Sequence, residues 1–459
     1  MIIYSLPYKN TAFINEYIHK FRADLYEFRL DYAPDSFNFN PDFFNSNTIL
    51  TLRDSNEGGK YNGELEAKLL FYQKMVKKFN CLVDCEYKLY RNFNKIELPS
   101  ENLILSYHSL TAKTDFEQIE TLVKDAKNIK FKYLKIAVNV TKYSDLLKLQ
   151  KLSYLLPDKL ILVGMGSLGK ISRILYKFLG SQATYVSHKN FATASGQINL
   201  AEAKFYHIRN IDKQTLYGGI IGQKQIDKSI GLQYYNNYFR NEKLNACYLP
   251  FAVNNFQDFW NWLSNVNQDK FFGFSITMPF KKMFQLQKFN KYELKSVNLY
   301  IPSRDLVMNT DKIAFEQAFE LLDISREDEI LLYGSGATAE TALATLKNYR
   351  EVTIASRNEL VAYELAYNYN KKYGELPNLT TKTFSLIINC TPIGMAGEDF
   401  FAETGLNLPQ KFIDLPYTIE KTRLIRTCEL YNIPFIDGKK FWHLQAKKQL
   451  KEFRKTILK

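Results

Sequence analysis

From Met1 to about Lys213, short apolar runs alternate with longer stretches of helical spacing. The runs are MIIYSL, LYEFRLD, TILTLR, CLVDCEY, NLILSYHS, FKYLKIAV, KLILVGMG and ATYVSH. They are apolar on both faces and separated by helix-length segments, the pattern of parallel strands joined by right-handed crossovers. Eight such runs predict a closed (β/α)8 TIM barrel. In such a barrel the chemistry sits at the C-terminal ends of the strands. Polar residues close several of the runs: Glu27, Arg29, Arg53, Glu86, His108 and Lys135.

After NIDKQTLYGGIIGQ the pattern restarts. NACYLPFAV, KFFGFSITMPF and SVNLYI read as strands among helices up to about Asp311. A third unit opens at DEILLYGSGATAETALATL, a β-run, a glycine turn and an Ala-rich helix, and continues through EVTIASR, LIINCTPIGM, KFIDLPY and PFIDG. This is a nucleotide-binding α/β pattern. A closing helix, roughly Trp442 to Ile457, is expected to pack back on the second domain. The expected division is 1–213 for the barrel, 214–315 together with the C-terminal helix 440–459 for a second domain, and 316–439 for a Rossmann-like domain. The fold class is α/β throughout.

Composition narrows the function. A chain of 459 residues is too long for one ordinary core, and 46% hydrophobic with 24% charged residues excludes global disorder. Lys and Arg number 61 against 48 Asp and Glu, a net charge of +13, which attracts nucleic acid, acidic metabolites and nucleotide phosphates alike. No dense basic run singles out nucleic acid, so small molecules are the expected partners. No apolar run approaches the ~18 to 20 residues of a membrane span, and the opening MIIYSLPYKN lacks the features of a signal peptide. A cytoplasmic protein without a membrane partner is expected. Cys81, Cys85, Cys247, Cys390 and Cys428 are scattered and form no CxxC pair, so reduced thiols and no metal are expected.

Lys135 sits in YLKIAV between apolar neighbours, where loss of hydration favours a free amine that can attack a ketone. A lone strand lysine is more often an edge residue reaching solvent, but His108 closes the preceding run, and a neutral imidazole is suited to moving protons beside an imine. The whole N-terminal stretch resembles type I 3-dehydroquinate dehydratase, through YEFRLDY, TLRDSNEGG, VDCEY, SYH, LKIAV, MGSLGKISR and ASGQI in order. The resemblance implies that Lys135 forms a Schiff base with the substrate ketone and that His108, oriented by Glu57, moves the protons. It further implies that Glu27, Arg29, Arg53, Arg173, Thr193 and Gln197 hold the hydroxyls and the carboxylate, with Arg173 on the carboxylate. Thr193 replaces a common Ser, and Ser195 a usual Pro.

In YGSGATAETALATL, Gly334, Gly336 and Ala339 form a G-x-G-x-x-A turn between strand and helix, where exposed N–H groups of Ser335 and Ala337 can meet a pyrophosphate. The next run ends in Ser356 and Arg357, where an NAD site would place an acid. A cation there favours the 2′-phosphate of NADP. The C-terminal half resembles shikimate dehydrogenase, through GFSITMPFKK, SVNLY, MNTD, GSGATA, IINCTPIGM, DLPY and DGKKFWHLQA. The resemblance implies NADP(H) as cofactor, with Thr391 beside it, and Lys281 and Asp311 as the proton-donating pair. It implies that Thr277, Asn298, Tyr417, Gln445 and Ser229 bind substrate. In IDKSIGLQ the second of two expected serines is Gly231, and Ser275 stands where many relatives have Asn. The lost hydroxyl is expected to leave a gap beside the ring and carboxylate that would admit quinate.

Together the halves imply a bifunctional enzyme that dehydrates 3-dehydroquinate and then reduces 3-dehydroshikimate to shikimate. Two alternatives stand beside it. One is an active dehydratase whose second half is altered toward quinate or inactive, and the other is a non-catalytic regulator that binds quinate-like ligands.

Overall fold

The computed structural model describes residues 1–33, 39, 41–91, 98–192, 194–223, 226–284, 295–417 and 420–459. The chain forms two compact units, one of Met1–Tyr217 with Asn236–Lys270, the other of Gly218–Tyr235 with Phe271–Lys459.

All eight apolar runs of the first unit are strands: β1 Ile2–Pro7, β2 Leu25–Arg29, β3 Thr48–Thr51, β4 Leu82–Glu86, β5 Leu103–His108, β6 Tyr133–Asn139, β7 Leu160–Met165 and β8 Thr184–Ser187. They lie in the order β7-β6-β5-β4-β3-β2-β1-β8 and every ladder between them is parallel. A two-residue strand, β9 Ile198–Asn199, adds to β8. The sheet is curled, and its two ends meet where Gln182 N–H donates to Leu160 O at 2.8 Å instead of forming a paired ladder. Ile3, Leu25, Ile49, Leu82, Ile104 and Ile161 fill the interior, as expected of strands buried on both faces.

The crossover helices are amphipathic for legible reasons. In Phe116–Ala126 the buried residues Ile119, Leu122, Val123 and Ala126 recur at helical spacing, and Asp115 caps the start by accepting from the Glu117 and Gln118 amides. The helix Tyr143–Leu155, which follows β6, takes its cap from far along the chain. The Asp258 carboxylate accepts from the Tyr143 amide at 2.7 Å and the Ser144 amide at 3.2 Å. Asp258 belongs to the helix Phe256–Ser264, whose Phe259 and Trp262 pack on the Tyr143 ring. Thus the compact unit extends past the barrel sequence to include 236–270.

In the second unit, β10 Leu216–Gly222, β12 Phe271–Ile276, β13 Leu299–Ile301 and β14 Leu306–Met308 run in that order within one sheet; β11 is Ala246–Ala252. The last sheet holds β15 Ile330–Tyr333, β16 Val352–Ala355, β17 Lys372–Tyr373, β18 Leu386–Asn389, β19 Lys411–Asp414 and β20 Phe435–Ile436. Its order, β17-β16-β15-β18-β19-β20, is all parallel. Counted from β15 this is the 3-2-1-4-5-6 order of a Rossmann sheet, whose switch point lies between β15 and β18. The closing helix, Gly438–Ile457, buries Phe441 against Phe315 and sends Gln445 and Gln449 into the unit.

Candidate functional site

The barrel register sets up the first site. Glu86 on β4 and Lys135 on β6 are both paired in register with Ser106 on β5, so three inward side chains stand in one row across neighbouring strands ~4.8 Å apart. Lys135 is buried, and its Nζ donates to Asp84 Oδ2 at 2.9 Å, with Glu27 Oε1 at 3.6 Å. The apolar neighbours in sequence therefore do not describe its surroundings: two carboxylates face the amine.

Asp84 escaped the sequence reading. It also accepts from Arg53 Nη2 at 2.6 Å, while Arg53 Nη1 reaches Glu86 Oε1 at 3.0 Å and Ser106 Oγ at 2.7 Å. Burial would raise the Asp84 carboxyl, but Arg53 and Lys135 outweigh it and hold the group well below the ordinary carboxylate range. Lys68, buried on its helix, donates to the other Glu86 oxygen. Arg53 is thus bound into an internal charge network as well as lining the cavity.

His108 Nδ1 lies 2.9 Å from Glu57 Oε2, and the same oxygen accepts from the His108 amide at 3.1 Å. Burial, then the positive charges of Arg53 and Lys135, pushes the imidazole well below its ordinary value, so it is neutral. With Nδ1–H directed at Glu57, the Nε2 lone pair is left as a base. Burial lifts Glu57 to about 7, against the opposing pull of Arg53.

A cavity of about 200 Å³ is lined by Lys135, His108, Glu57, Glu27 and Arg53 and by Arg29, Arg173, Tyr185, Ser195 and Gln197. Arg29 is clamped by both oxygens of Asp31, at 2.9 and 2.8 Å. Arg173 differs: among the described residues its guanidinium donates only to carbonyls, Gly164 O at 3.1 Å and Ser195 O at 3.3 Å, and burial lowers it to about 10. A buried guanidinium that no carboxylate bonds among the described residues is prepared for an anionic ligand. Thr193 lies outside the described residues.

In the second unit Lys281 Nζ donates to Asp311 Oδ2 at 2.6 Å, and Asn298 Nδ2 holds Asp311 Oδ1 at 2.8 Å. Asn298 Oδ1 in turn accepts from the Thr310 amide and hydroxyl, and Thr310 Oγ1 reaches Gln445 Oε1 at 2.9 Å. Gln449, one helical turn from Gln445, ties the cluster together through Asn298 O, Thr310 Oγ1 and Ser275 Oγ. It was missed, although i,i+4 glutamines share one helix face. Among the described residues no hydrogen bond joins Ser229, Thr277 or Tyr417 to this network; Ser229 Oγ accepts from the Gly231 amide at 3.3 Å.

A Cβ at Gly231 would make ordinary van der Waals contact with Ser229 Oγ and Tyr235 at 3.4 Å and with the Trp442 ring at 3.5 Å, so the position itself would accept a side chain.

The glycine turn follows β15 at the switch point. Gly334 has φ +131°, and a Cβ there would stand 3.1 Å from Cys390, so only glycine fits. Nothing lies within 4 Å of a Cβ at Gly336, which opens the helix Ala337–Thr345 without any side-chain cap. Ala339 is buried in the helix-to-sheet contact. Uncapped N–H groups facing open space fit a pyrophosphate. Ser356 Oγ bonds to Ser335 Oγ at 3.1 Å, Arg357 is exposed beside it, and the Thr391 hydroxyl is held by Asn389 at 2.7 Å.

The family model for type I 3-dehydroquinase matches residues 3–213, and that for the shikimate dehydrogenase substrate binding domain matches 220–292. A 3-dehydroquinate dehydratase of Dehalococcoides mccartyi is 32% identical over 171 residues, 36% of this chain and 77% of that protein. A shikimate dehydrogenase (NADP(+)) of Clostridium botulinum is 28% identical over 248 residues, 50% of this chain and 92% of that protein. The shikimate biosynthesis protein AroDE of Chlamydia muridarum is 27% identical over 305 residues; the match takes in 64% of this chain and spans 62% of that relative's length.

Proposed function

We propose that this chain, which belongs to the type I 3-dehydroquinase family and continues as a shikimate dehydrogenase, catalyses two consecutive reactions. The first is dehydration of 3-dehydroquinate to 3-dehydroshikimate through an imine on Lys135, and the second is NADPH-dependent reduction of that product to shikimate. The observation that carries this reading is the company of Lys135: a neutral histidine oriented by Glu57 and, around the same cavity, an Arg173 that makes no ion pair among the described residues.

In the first site the Lys135 amine adds to the substrate ketone and water leaves, giving an iminium that draws electrons from the adjacent C–H bond. His108 Nε2 takes that proton and returns one to the departing hydroxyl, and water then hydrolyses the product imine to release the ketone and free Lys135. Asp84 stays ionised and fixes Nζ, and Arg173 grips the substrate carboxylate with a planar fork that a lysine lacks. Glu27, Arg29, Arg53, Thr193 and Gln197 are proposed to hold hydroxyls and the remaining carboxylate contacts.

In the second site NADPH, when bound, supplies a hydride to the ketone carbon. Lys281 delivers the proton to the oxygen, and Asp311, itself held by Asn298, aims the ammonium. Gly334, Ser335, Gly336, Ala337 and Ala339 are proposed to hold the pyrophosphate, Ser356 and Arg357 the 2′-phosphate, with Thr391 alongside. Thr277, Asn298, Tyr417, Gln445 and Ser229 are proposed for substrate. The functional division is 1–213, 214–315 with the C-terminal helix, and 316–439, and the protein is proposed to work in the cytoplasm on small molecules. A non-catalytic regulator would need neither an imine-forming amine nor a lysine and aspartate paired at 2.6 Å.

Borohydride added to the full chain with 3-dehydroquinate is expected to leave a reduced adduct on Lys135, found by peptide mapping and lost in Lys135→Ala. Dehydration that proceeds with no adduct at Lys135 would remove the Schiff-base reading.

A further inference from the structure

Among the described residues, six buried side-chain polar atoms have no hydrogen-bond partner, and one is the hydroxyl of Tyr185. Tyr185 is an inward residue of β8, 3% exposed, and it lines the cavity that holds Lys135 and Arg173. Neither the motifs nor the charge pattern drew attention to it, because a tyrosine in ATYVSH reads as strand filling.

A buried hydroxyl without a partner is costly, and each such group calls for an explanation. Its neighbours supply one. The Lys135 ammonium stands 4.7 Å from the Tyr185 ring centroid. The charges acting on the phenol are Glu27, Asp84, Arg53 and Arg173, of which Glu27, Arg53 and Arg173 line the cavity. In the other direction, Tyr185 heads the charges felt by the Arg173 guanidinium. Burial first, then Glu27 and Asp84, keeps the phenol protonated, so it is a donor. Arg173 Nε and Nη2 are engaged by Gly164 O and Ser195 O, and among the described residues Nη1 has no hydrogen-bond partner.

We propose that the Tyr185 hydroxyl is a substrate-binding donor of the dehydratase site, which completes with Arg173 a two-point grip on the carboxylate of the bound ring acid. The inference rests on the dehydratase reading of the first site and adds a residue to it. The phenol supplies one hydrogen bond and the guanidinium the charge and a second, so the carboxylate satisfies the hydroxyl that the protein leaves bare. No covalent step falls to Tyr185.

Tyr185→Phe removes one oxygen and keeps the ring against Lys135, which separates the two roles by sign. For a ligand donor, KM for 3-dehydroquinate rises about tenfold or more, with kcat falling by a smaller factor, while the melting temperature of the ligand-free full chain stays level or rises because an unsatisfied hydroxyl is gone. In Tyr185→Phe with Arg173→Lys, the loss in kcat/KM is smaller than the product of the single losses, because both act on one carboxylate. A lower melting temperature with unchanged KM, or a KM change that multiplies cleanly with that of Arg173→Lys, would overturn the proposal. The wild-type chain is assayed alongside: if it fails to dehydrate the substrate, the dehydratase reading itself falls, and the inference with it.

Discussion

Asp84 and Lys135 meet across the strand between them: Asp84 Oδ2 on β4 accepts from Lys135 Nζ on β6 at 2.9 Å, over Ser106 of β5. The other Asp84 oxygen holds Arg53 at 2.6 Å. One carboxylate thus fixes the nucleophile and neutralises the cation next to it. Asp84→Asn leaves two buried cations short of a counter-charge, a loss on the order of 3 to 5 kcal/mol. A lower melting temperature and slower borohydride trapping at Lys135 are expected together. Unchanged trapping would mean that Asp84 serves the fold alone.

Glu57 gives the first reaction its pH dependence. The carboxylate must be ionised to accept Nδ1–H from His108, and burial lifts it to about 7. As pH falls through about 7 the proton on Glu57 releases the imidazole, so dehydratase kcat/KM should decline on the acid side. His108, held well below its ordinary value, adds no limb there. Glu57→Gln should lose the acid limb and run at a plateau about tenfold or more below wild type. A pH–rate profile of both proteins decides it, and an acid limb that persists in the variant would assign the titration elsewhere.

Arg173→Lys tests the carboxylate grip by geometry, with charge kept. A hydrogen bond to a charged group contributes about 1.5 to 3 kcal/mol, so KM for 3-dehydroquinate should rise roughly tenfold to a hundredfold. Steady-state kinetics reads this directly, and an unchanged KM would place the carboxylate elsewhere in the cavity.

The eight barrel strands were legible because parallel strands buried on both faces leave continuous apolar runs. What the reading missed has physical causes. It took the polar residue closing each run, so it found Glu86 and passed over Asp84, although period two puts both on one face. Two- and three-residue strands such as Lys372–Tyr373 and Leu306–Met308 carry too little pattern to register. Nor could sequence show that 236–270 clusters with the barrel, since the Tyr143 to Asp258 bond joins residues 115 positions apart.

That bond makes a stability prediction. Asp258 satisfies the first two amides of the helix that follows the Lys135 strand, a capping role worth about 1 kcal/mol. For a unit of this size Asp258→Ala should lower the melting temperature by roughly 2 to 4 °C, with faster hydrogen exchange at the Tyr143 and Ser144 amides. Unaltered exchange at those two amides would show that the helix start is held by other groups.

The central claim, two consecutive reactions on one chain, is tested most directly by giving the purified full chain 3-dehydroquinate and NADPH and following enone absorbance and NADPH consumption together. The account predicts that enone forms first and that NADPH is then consumed as the enone ketone is reduced, with Lys135→Ala abolishing both signals and Lys281→Ala only the second. Enone that accumulates while NADPH stays constant would contradict the assignment of the second site, and the absence of both signals would contradict the account as a whole.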